Sequence, residues 1–222
     1  MQRITQMHIV PDILPHIDPI AEVTLAFGRH DVQPGAFVDS RVSANPVKLN
    51  IQVFDKGSRL VSVVVVDPDV PNSETDGFDY RCHFIAVNIS ISPTATSLPL
   101  TRFRKDDLQL VLPWLPPFAQ KGSPYHRISV FVLRHDDGKE LDVKKVKKLV
   151  EREGFQLRKF NDIFRLTPVG VALFRSVWDE GTASVMEKTG IEGANVEFLR
   201  KKPEKLPFKK KDGIRYRGYR HT

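Results

Sequence analysis

Two aspartates near the middle of the chain are the residues whose type and spacing best suit binding chemistry. The segment Asp67-Pro68-Asp69-Val70-Pro71 follows directly after four valines, and such a β-branched run predicts a strand that is buried on both faces. Each proline fixes its own φ and pushes the preceding residue towards an extended conformation. We therefore predict that both carboxylates stand at a stiff strand end, where they form a pocket wall.

Two histidines lie at the heads of further apolar segments. His83 precedes the segment 84–89, and His126 closes the proline-rich loop 116–126 before the segment 128–133. Two carboxylates beside two histidines can hold a water molecule or a small anion when a histidine is protonated. Alternatively, the four side chains bond to one another and to the loops, and so organise the rim of the fold.

Metal binding and catalysis have little support in the sequence. The acids and histidines do not have the short spacing that zinc sites favour. Ser123 lies three residues before His126, but two residues of one loop do not make a triad, and no nucleophile elbow, phosphate loop or HExxH motif occurs. We predict no catalytic residue, no metal, no cofactor and no enzymatic activity.

The elements predicted to position these residues are mostly strands. Short apolar segments separated by glycine- and proline-containing turns predict an antiparallel β-sandwich. The five predicted strands are 23–27, 49–54, 60–66, 84–89 and 128–133.

Helices are predicted only in the last third of the chain. Asp142 is a candidate N-cap, with Val143, Val146, Leu149 and Val150 at helical spacing and Gly154 as a candidate C-cap. The outer face of this helix carries Lys144, Lys145, Lys147 and Lys148, and forms either a solvated surface or a second basic contact strip. The segment 155–166 is predicted to end in a strand or a short helix. The segment 172–186 is predicted to be a helix packed by Val177, Trp178 and Val185.

The positive charge is concentrated at the end of the chain. The whole chain of 222 residues has a net charge of +7, but residues 200–222 alone carry +8. Prolines and repelling like charges predict that this tail is extended. Its basic side chains can neutralise phosphates, and its late tyrosines can stack on unpaired bases. The predicted RNA-binding residues are Arg200, Lys201, Lys202, Lys205, Lys209, Lys210, Lys211, Arg215, Tyr216, Arg217, Tyr219 and Arg220. The alternatives are an acidic protein, an anionic membrane, or a merely solvated terminus.

Three ordered motifs resemble those of the phosphatidylethanolamine-binding-protein family. They are the DPDVP segment, the strand that begins with Cys82-His83, and the loop that ends in His126-Arg127; the resemblance runs from about residue 10 to about residue 189. It implies a mainly β protein, an antiparallel Greek-key β-sandwich with a few C-terminal helices. The implied division is a β domain at 1–190 followed by an extended basic tail at 191–222.

The resemblance also implies an anion pocket lined by Asp67, Asp69, His83, His126 and Phe174. Phe174 stands where binding members have a tyrosine, and Pro124 replaces a loop glycine. A phenylalanine has no hydroxyl and a proline has no N–H. Because these hydrogen-bond donors are missing, we predict that the pocket is vestigial.

The proline-rich loop 112–117 resembles a branch of the family found in the large subunit of fungal mitochondrial ribosomes. The implied function is that of a non-catalytic structural constituent in the mitochondrial matrix, with no DNA partner and no transmembrane segment. Its implied partners are large-subunit ribosomal RNA and neighbouring mitochondrial ribosomal proteins, in the central protuberance. The alternative is a soluble phospholipid-head-group-binding or protease-inhibiting regulator.

Compartment signals are sparse. Cys82 is the single cysteine, so an intrachain disulfide is excluded, as suits a reducing compartment. The first fifteen residues do not have the pattern of a targeting segment. If the protein enters an organelle, we expect that a presequence is missing from this numbering or that another signal is used. No apolar run approaches the ~20 residues of a membrane span.

Overall fold

The structure is a computed structural model. It describes residues 2–54, 57–72, 74–94, 96–104 and 106–198. All twelve of the predicted RNA-binding residues, from Arg200 to Arg220, lie outside the described residues.

Two antiparallel sheets form the body of the protein. The four-stranded sheet has the order β2-β1-β3-β6 and the five-stranded sheet has the order β7-β5-β4-β8-β9. The strands are β1 (Ala21–Phe27), β2 (His30–Val32), β3 (Lys48–Val53), β4 (Arg59–Asn72), β5 (Gly77–Ile91), β6 (Ser97–Pro99), β7 (Leu110–Leu112), β8 (His126–His135) and β9 (Leu166–Ser176). The predicted mainly β antiparallel sandwich is confirmed, and all five predicted strands are present.

The four-valine run lies in β4, at the centre of the five-stranded sheet. Val63 and Val65 face the four-stranded sheet and belong to the core between the two sheets. Val64 and Val66 face the opposite side, in a second apolar cluster. All four side chains are fully buried, which is why this strand is apolar at every position rather than at alternate positions.

The helices are short and cover the outer face of the five-stranded sheet and its ends. They are α1 (Gln2–Gln6), α2 (Ile9–Asp12), α3 (Ser40–Ser43), α4 (Val143–Leu149), α5 (Leu157–Phe164) and α6 (Thr182–Thr189), with a 3₁₀ turn at Leu100–Arg102. Ile9 and Ile13 of the N-terminal segment pack with Phe160 of α5 in the second cluster. Arg158 of α5 fixes this segment, because its guanidinium donates hydrogen bonds to the carbonyl oxygens of Ile13 and Pro11.

The predicted helix over 172–186 is wrong. Most of its first part belongs to β9, which pairs with β8 along its length, and only Thr182–Thr189 is helical. Six consecutive residues of β9, from 169 to 174, are buried, and a strand buried on both faces has no alternation to reveal it. Val177 and Trp178, predicted to pack the helix, are 39% and 36% exposed.

The DPDVP segment lies within β4 rather than at its end. Pairing with β5 shifts register between Asp67 and Val70 and then resumes as far as Asn72. A β-bulge accommodates Pro68, because the unpaired residues between Asp67 and Val70 need not donate to the neighbouring strand, whereas Pro71 lies beyond the bulge, opposite Phe78. The predicted position of the carboxylates at a strand end is therefore wrong, although their backbone is extended as expected.

The lysine-bearing helix α4 begins as predicted. The carboxylate of Asp142 accepts hydrogen bonds from the N–H groups of Lys144 and Lys145, and the four lysines are exposed. The predicted C-cap at Gly154 is wrong, because the helix ends at Leu149 and Val150 is extended. Only Val146 of this short helix is buried, so its lysine face is turned wholly to solvent.

Candidate functional site

Asp67, His83 and His126 come together at one end of the five-stranded sheet. The central strand β4 carries Asp67 between β5, which carries His83, and β8, which begins with His126. His126 Nδ1 lies 2.6 Å from Asp67 Oδ2, and His83 Nε2 lies 3.7 Å from the same oxygen. All three side chains are almost completely buried. We call these three residues the buried Asp–His cluster.

The backbone fixes the orientation of the cluster. His83 Nδ1 donates to the carbonyl oxygen of Leu115 at 2.9 Å, and Asp67 Oδ1 accepts from the N–H of Asp69 at 2.9 Å. His126 Nδ1 donates to Asp67 Oδ2. Because Nδ1 of each imidazole already holds a hydrogen bond, the rings cannot turn without losing one. The cluster is therefore rigid.

Electrostatics favour a charged Asp67. Burial alone would raise the pKa of its carboxyl group, but the positive charge and hydrogen bond of His126, together with His83, outweigh burial. The pKa of Asp67 is consequently held well below its ordinary value. The cluster therefore contains a carboxylate at neutral pH, stabilised by the two imidazoles.

Three polar atoms around this carboxylate have no hydrogen-bond partner in the described part of the chain. They are Nε2 of His83, Nε2 of His126 and Oγ of Ser176, and all are buried. Ser176 pairs directly opposite His126 in the β8–β9 register, and directly opposite residues of antiparallel strands share a face. If both imidazoles are protonated, these atoms could donate hydrogen bonds to a small anion, whereas neutral rings with their proton on Nδ1 could only accept at Nε2 from a water molecule. Ser176 was missed from the sequence because its segment was predicted to be helical.

Asp69 points away from the cluster. Arg127 binds it in a bidentate manner, with Nε 2.8 Å from Oδ2 and Nη2 2.7 Å from Oδ1. The same guanidinium donates to Asp12 Oδ2 at 2.8 Å and to the carbonyl oxygen of Met7 at 2.9 Å. Asp69 therefore joins β8 to the N-terminal segment, and the structure does not bring it into one site with Asp67.

Phe174 lies in the core between the sheets. It is fully buried and packs edge-to-face against Phe27, with ring centroids 5.4 Å apart. In β9 it is opposite Ile128, two residues before Ser176. Its ring supplies packing and no hydrogen bond. Anion binding by the five predicted pocket residues stays a prediction.

A second buried serine–histidine pair was not predicted. Ser62 Oγ lies 2.8 Å from His135 Nε2, and His135 Nδ1 lies 2.8 Å from the carbonyl oxygen of Lys139. Burial lowers the pKa of His135, which favours a neutral ring that donates a hydrogen bond through Nδ1 and accepts one from the Ser62 hydroxyl at Nε2. Ser62 is fully buried within β4, so no substrate reaches its oxygen, and we assign the pair to structure.

Replacing Ser62 with alanine is expected to lower the free energy of unfolding by about 1–2 kcal/mol, because Nε2 of buried His135 then has no donor. Urea unfolding followed by tryptophan fluorescence measures the change. Ser90→Ala, at an exposed position of the neighbouring strand β5, is the matched control and should change stability by less than about 0.5 kcal/mol. Equal effects of the two substitutions would contradict the assigned role of this hydrogen bond.

Two features of the described part of the chain bear on the class of site. Within the described ranges, no group of three or more His, Cys, Asp or Glu side chains is placed to hold a metal ion. In the same part of the chain, no helix combines the length and the apolar character needed to cross a membrane.

Comparison with known proteins decides the family. Residues 24–163 match the family model described as phosphatidylethanolamine-binding protein. The chain belongs to the phosphatidylethanolamine-binding protein family. The matched residues include Asp67, His83 and His126, so the buried Asp–His cluster lies within the part of the chain that matches the family model. Ser176 and the rest of β9 come after the matched residues in the sequence.

Relatives within the phosphatidylethanolamine-binding protein family extend this result. The large ribosomal subunit protein mL38 of Schizosaccharomyces pombe is 30% identical over 192 residues, which are 85% of this chain and 59% of that protein. The chain thus spans about three-fifths of the length of that relative. A phosphatidylethanolamine-binding protein from Plasmodium falciparum has a TM-score of 0.61 at 18% identity, over 80% of this chain and 96% of its own. Carboxypeptidase Y inhibitor, solved with its cognate proteinase, has a TM-score of 0.60 at 17% identity, over 80% and 94%. At these identities the two structures show the shared fold alone.

Proposed function

We propose that this chain is a structural constituent of the large subunit of the mitochondrial ribosome. In this role it binds large-subunit ribosomal RNA and neighbouring ribosomal proteins in the central protuberance, within the mitochondrial matrix. It catalyses no reaction. The sandwich is a packing module, and the basic residues anchor it to RNA.

One observation carries the proposal: the fission yeast relative is named as a large ribosomal subunit protein and is 30% identical over 85% of this chain. The chain covers 59% of that relative. The proposal therefore concerns the role of the part that the two proteins share.

The distribution of charge supports an RNA-binding role. Residues 200–222 carry a net charge of +8, whereas the remainder of the chain carries −1. The four exposed lysines of α4 add a compact cationic strip to the near-neutral body. Such strips bind phosphates without reading sequence, and so suit a fixed contact to folded RNA.

Sedimentation of a mitochondrial lysate on a sucrose gradient tests the proposed function. We expect the protein to sediment with the large subunit, both in intact ribosomes and after the subunits are separated by removing magnesium. A soluble matrix protein and a small-subunit protein serve as controls in the same gradient. Recovery at the top of the gradient as free protein would overturn the proposal.

A second candidate function rests on the unpartnered atoms of the cluster. Nε2 of His83, Nε2 of His126 and Oγ of Ser176 are buried without a hydrogen-bond partner in the described part of the chain, and could bond to a small anion such as a phosphate ester if the rim of the fold opened to admit it. That arrangement favours a soluble head-group-binding regulator. Against it, Phe174 offers no hydroxyl, and Asp69 is occupied by Arg127. Free protein at the top of the gradient would make this candidate the leading one.

A further inference from the structure

Aromatic and cationic side chains form an exposed surface at the end of the sandwich where β8 begins and β9 ends. Two segments supply most of it. The loop before β8 carries Lys121 and Tyr125, and the end of β9 with the residues that follow carries Arg175 and Trp178. Phe37 is the fifth residue, because its backbone forms an isolated β-bridge with that of Arg175. We call these five residues the aromatic–cationic surface.

Arg175 lies between two aromatic rings. Its guanidinium carbon is 3.8 Å from the ring centroid of Phe37 and 5.2 Å from that of Tyr125. The two rings contact each other edge-to-face, with centroids 5.9 Å apart. Nε of Arg175 donates to the carbonyl oxygen of Gly35 at 2.6 Å, which fixes the planar group against the rings. Its two terminal nitrogens have no acceptor within the described ranges.

The rings of this surface are open to solvent. Phe37 is 52% exposed, Tyr125 is 42% exposed and Trp178 is 36% exposed. Phe37 and Tyr125 contact each other on the surface, and contiguous exposed apolar patches mark interaction sites. Because Arg175 is held rigidly and the rings are already in place, little side-chain entropy is lost when a planar group stacks on them.

The beginning of the basic tail lies beside this surface. The N–H of Phe198 donates to the carbonyl oxygen of Lys121 at 2.7 Å, and a Cβ at Gly122 would collide with the carbonyl oxygen of Phe198. Lys121 Nζ pairs with Glu197 at 3.0 Å and lies 5.7 Å from the ring centroid of Trp178. The chain therefore enters its polycationic segment within a few residues of the exposed rings.

This neighbourhood favours RNA as the occupant. Basic residues that follow residue 198 can hold a phosphate backbone, and the adjacent rings can stack the bases that this backbone carries. Two acids of this region are already paired: Glu197 with Lys121, and Asp179 with the N–H of Ser40. Unpaired bases stack on aromatic rings and on arginine planes, whereas paired bases are hidden inside the duplex.

We propose that the aromatic–cationic surface stacks unpaired bases of ribosomal RNA next to the point where the basic tail leaves the body. This inference rests on the proposed function and adds to it a site on the folded domain. Phe37 and Tyr125 supply the stacking faces. Arg175 holds these rings together and donates its terminal N–H groups to a phosphate or a base.

The test measures the binding of a fluorescent single-stranded twelve-nucleotide uridine RNA to the full chain by anisotropy. Phe37→Ala and Tyr125→Ala are each expected to weaken binding about tenfold, from the usual contribution of one stacked base. The slope of log affinity against log salt should stay unchanged, since neither substitution removes a charge. A duplex RNA of equal length should bind both variants as tightly as it binds the wild type.

Phe54→Ala is the matched control. Phe54 is 67% exposed and lies far from this surface. Its N–H donates to the carbonyl oxygen of Ile20, and the N–H of Ile20 donates to the carbonyl oxygen of Val169, towards the opposite end of β9 from Arg175. Val169 and Arg175 are six positions apart along β9, a distance of about 20 Å. This substitution should leave the affinity for the uridine RNA unchanged, and thermal unfolding checks that all three variants fold.

The outcomes separate the two proposals. If the wild type binds the RNA and the Phe37 and Tyr125 variants bind it equally well, the stacking surface is wrong and RNA binding by the tail stands. If the wild type does not bind the RNA, the RNA-binding part of the proposed function also fails. If the variants bind RNA normally but fail to sediment with the large subunit, the surface contacts a protein, and the inference is overturned.

Discussion

Replacing Asp67 with asparagine is expected to lower the free energy of unfolding by about 3 kcal/mol, the scale measured when one partner of a buried ion pair is removed. Asp67 Oδ2 is 2.6 Å from His126 Nδ1 and 3.7 Å from His83 Nε2, and all three side chains are buried. The substitution removes the negative charge that stabilises both imidazoles. Urea unfolding at pH 7 measures the loss.

A matched control exists in the same chain. His16 Nε2 lies 2.7 Å from Asp18 Oδ1, but both side chains are more than 70% exposed. Exposed pairs of this kind contribute little, so Asp18→Asn should change stability by less than about 0.5 kcal/mol. Equal losses for Asp67→Asn and Asp18→Asn would contradict the role assigned to the buried cluster.

The pH dependence of Asp67→Asn has a definite sign. Burial opposes ionisation of Asp67, but His126 and His83 together lower its folded-state pKa below the unfolded value of 3.8. The stabilisation is therefore fully present above about pH 4 and is lost as the pH falls through the folded-state pKa. The difference in stability between wild type and Asp67→Asn should consequently shrink as the pH falls below about 4.

Deleting residues 200–222 is expected to weaken the binding of ribosomal RNA at least about 100-fold near physiological salt. The deleted segment carries a net charge of +8, and each phosphate that it neutralises releases counterions. Filter binding between about 50 and 500 mM salt measures the slope of log affinity against log salt for both proteins. If the tail contacts six phosphates, the magnitude of this slope should be smaller by about 4–5 for the deletion variant than for the wild type.

Two controls accompany the tail deletion. The deletion keeps Phe198, whose N–H donates to the carbonyl oxygen of Lys121, so we expect the thermal unfolding midpoint of the domain to be unchanged. A variant with the four α4 lysines changed to glutamine loses fewer charges, and should reduce the slope by no more than about 3–4. Full incorporation of the deletion variant into large subunits at native salt would contradict the anchoring role of the tail.

Sequence patterns predicted the strands that have β-branched cores and clear turns. They failed at β9, where burial on both faces removes the alternation, and Ala172, Leu173 and Phe174 are also compatible with a helix. The three-residue strands β2, β6 and β7 are too short to show a period. Their positions depend on pairing with longer neighbours.

The candidate site was predictable only in part. Asp67, His83 and His126 occur in recognisable motifs, and the fold brings them together. Ser176 and the pair of Ser62 with His135 depend on register between strands that are distant in the sequence. No local pattern records which residue of one strand faces which residue of the next, so these contacts required the structure.

The attachment of the N-terminal segment has a consequence for the order of events during synthesis. Arg127 binds Met7 and Asp12 across more than a hundred residues, and Arg158 binds the carbonyl oxygens of Pro11 and Ile13 across a still longer interval. Residues 7–13 are translated before their binding partners, which emerge only after most of the sandwich has been made. Ile9 and Ile13 therefore stay exposed on the nascent chain until α5 has left the ribosome that synthesises it. During that interval they are natural substrates for chaperones.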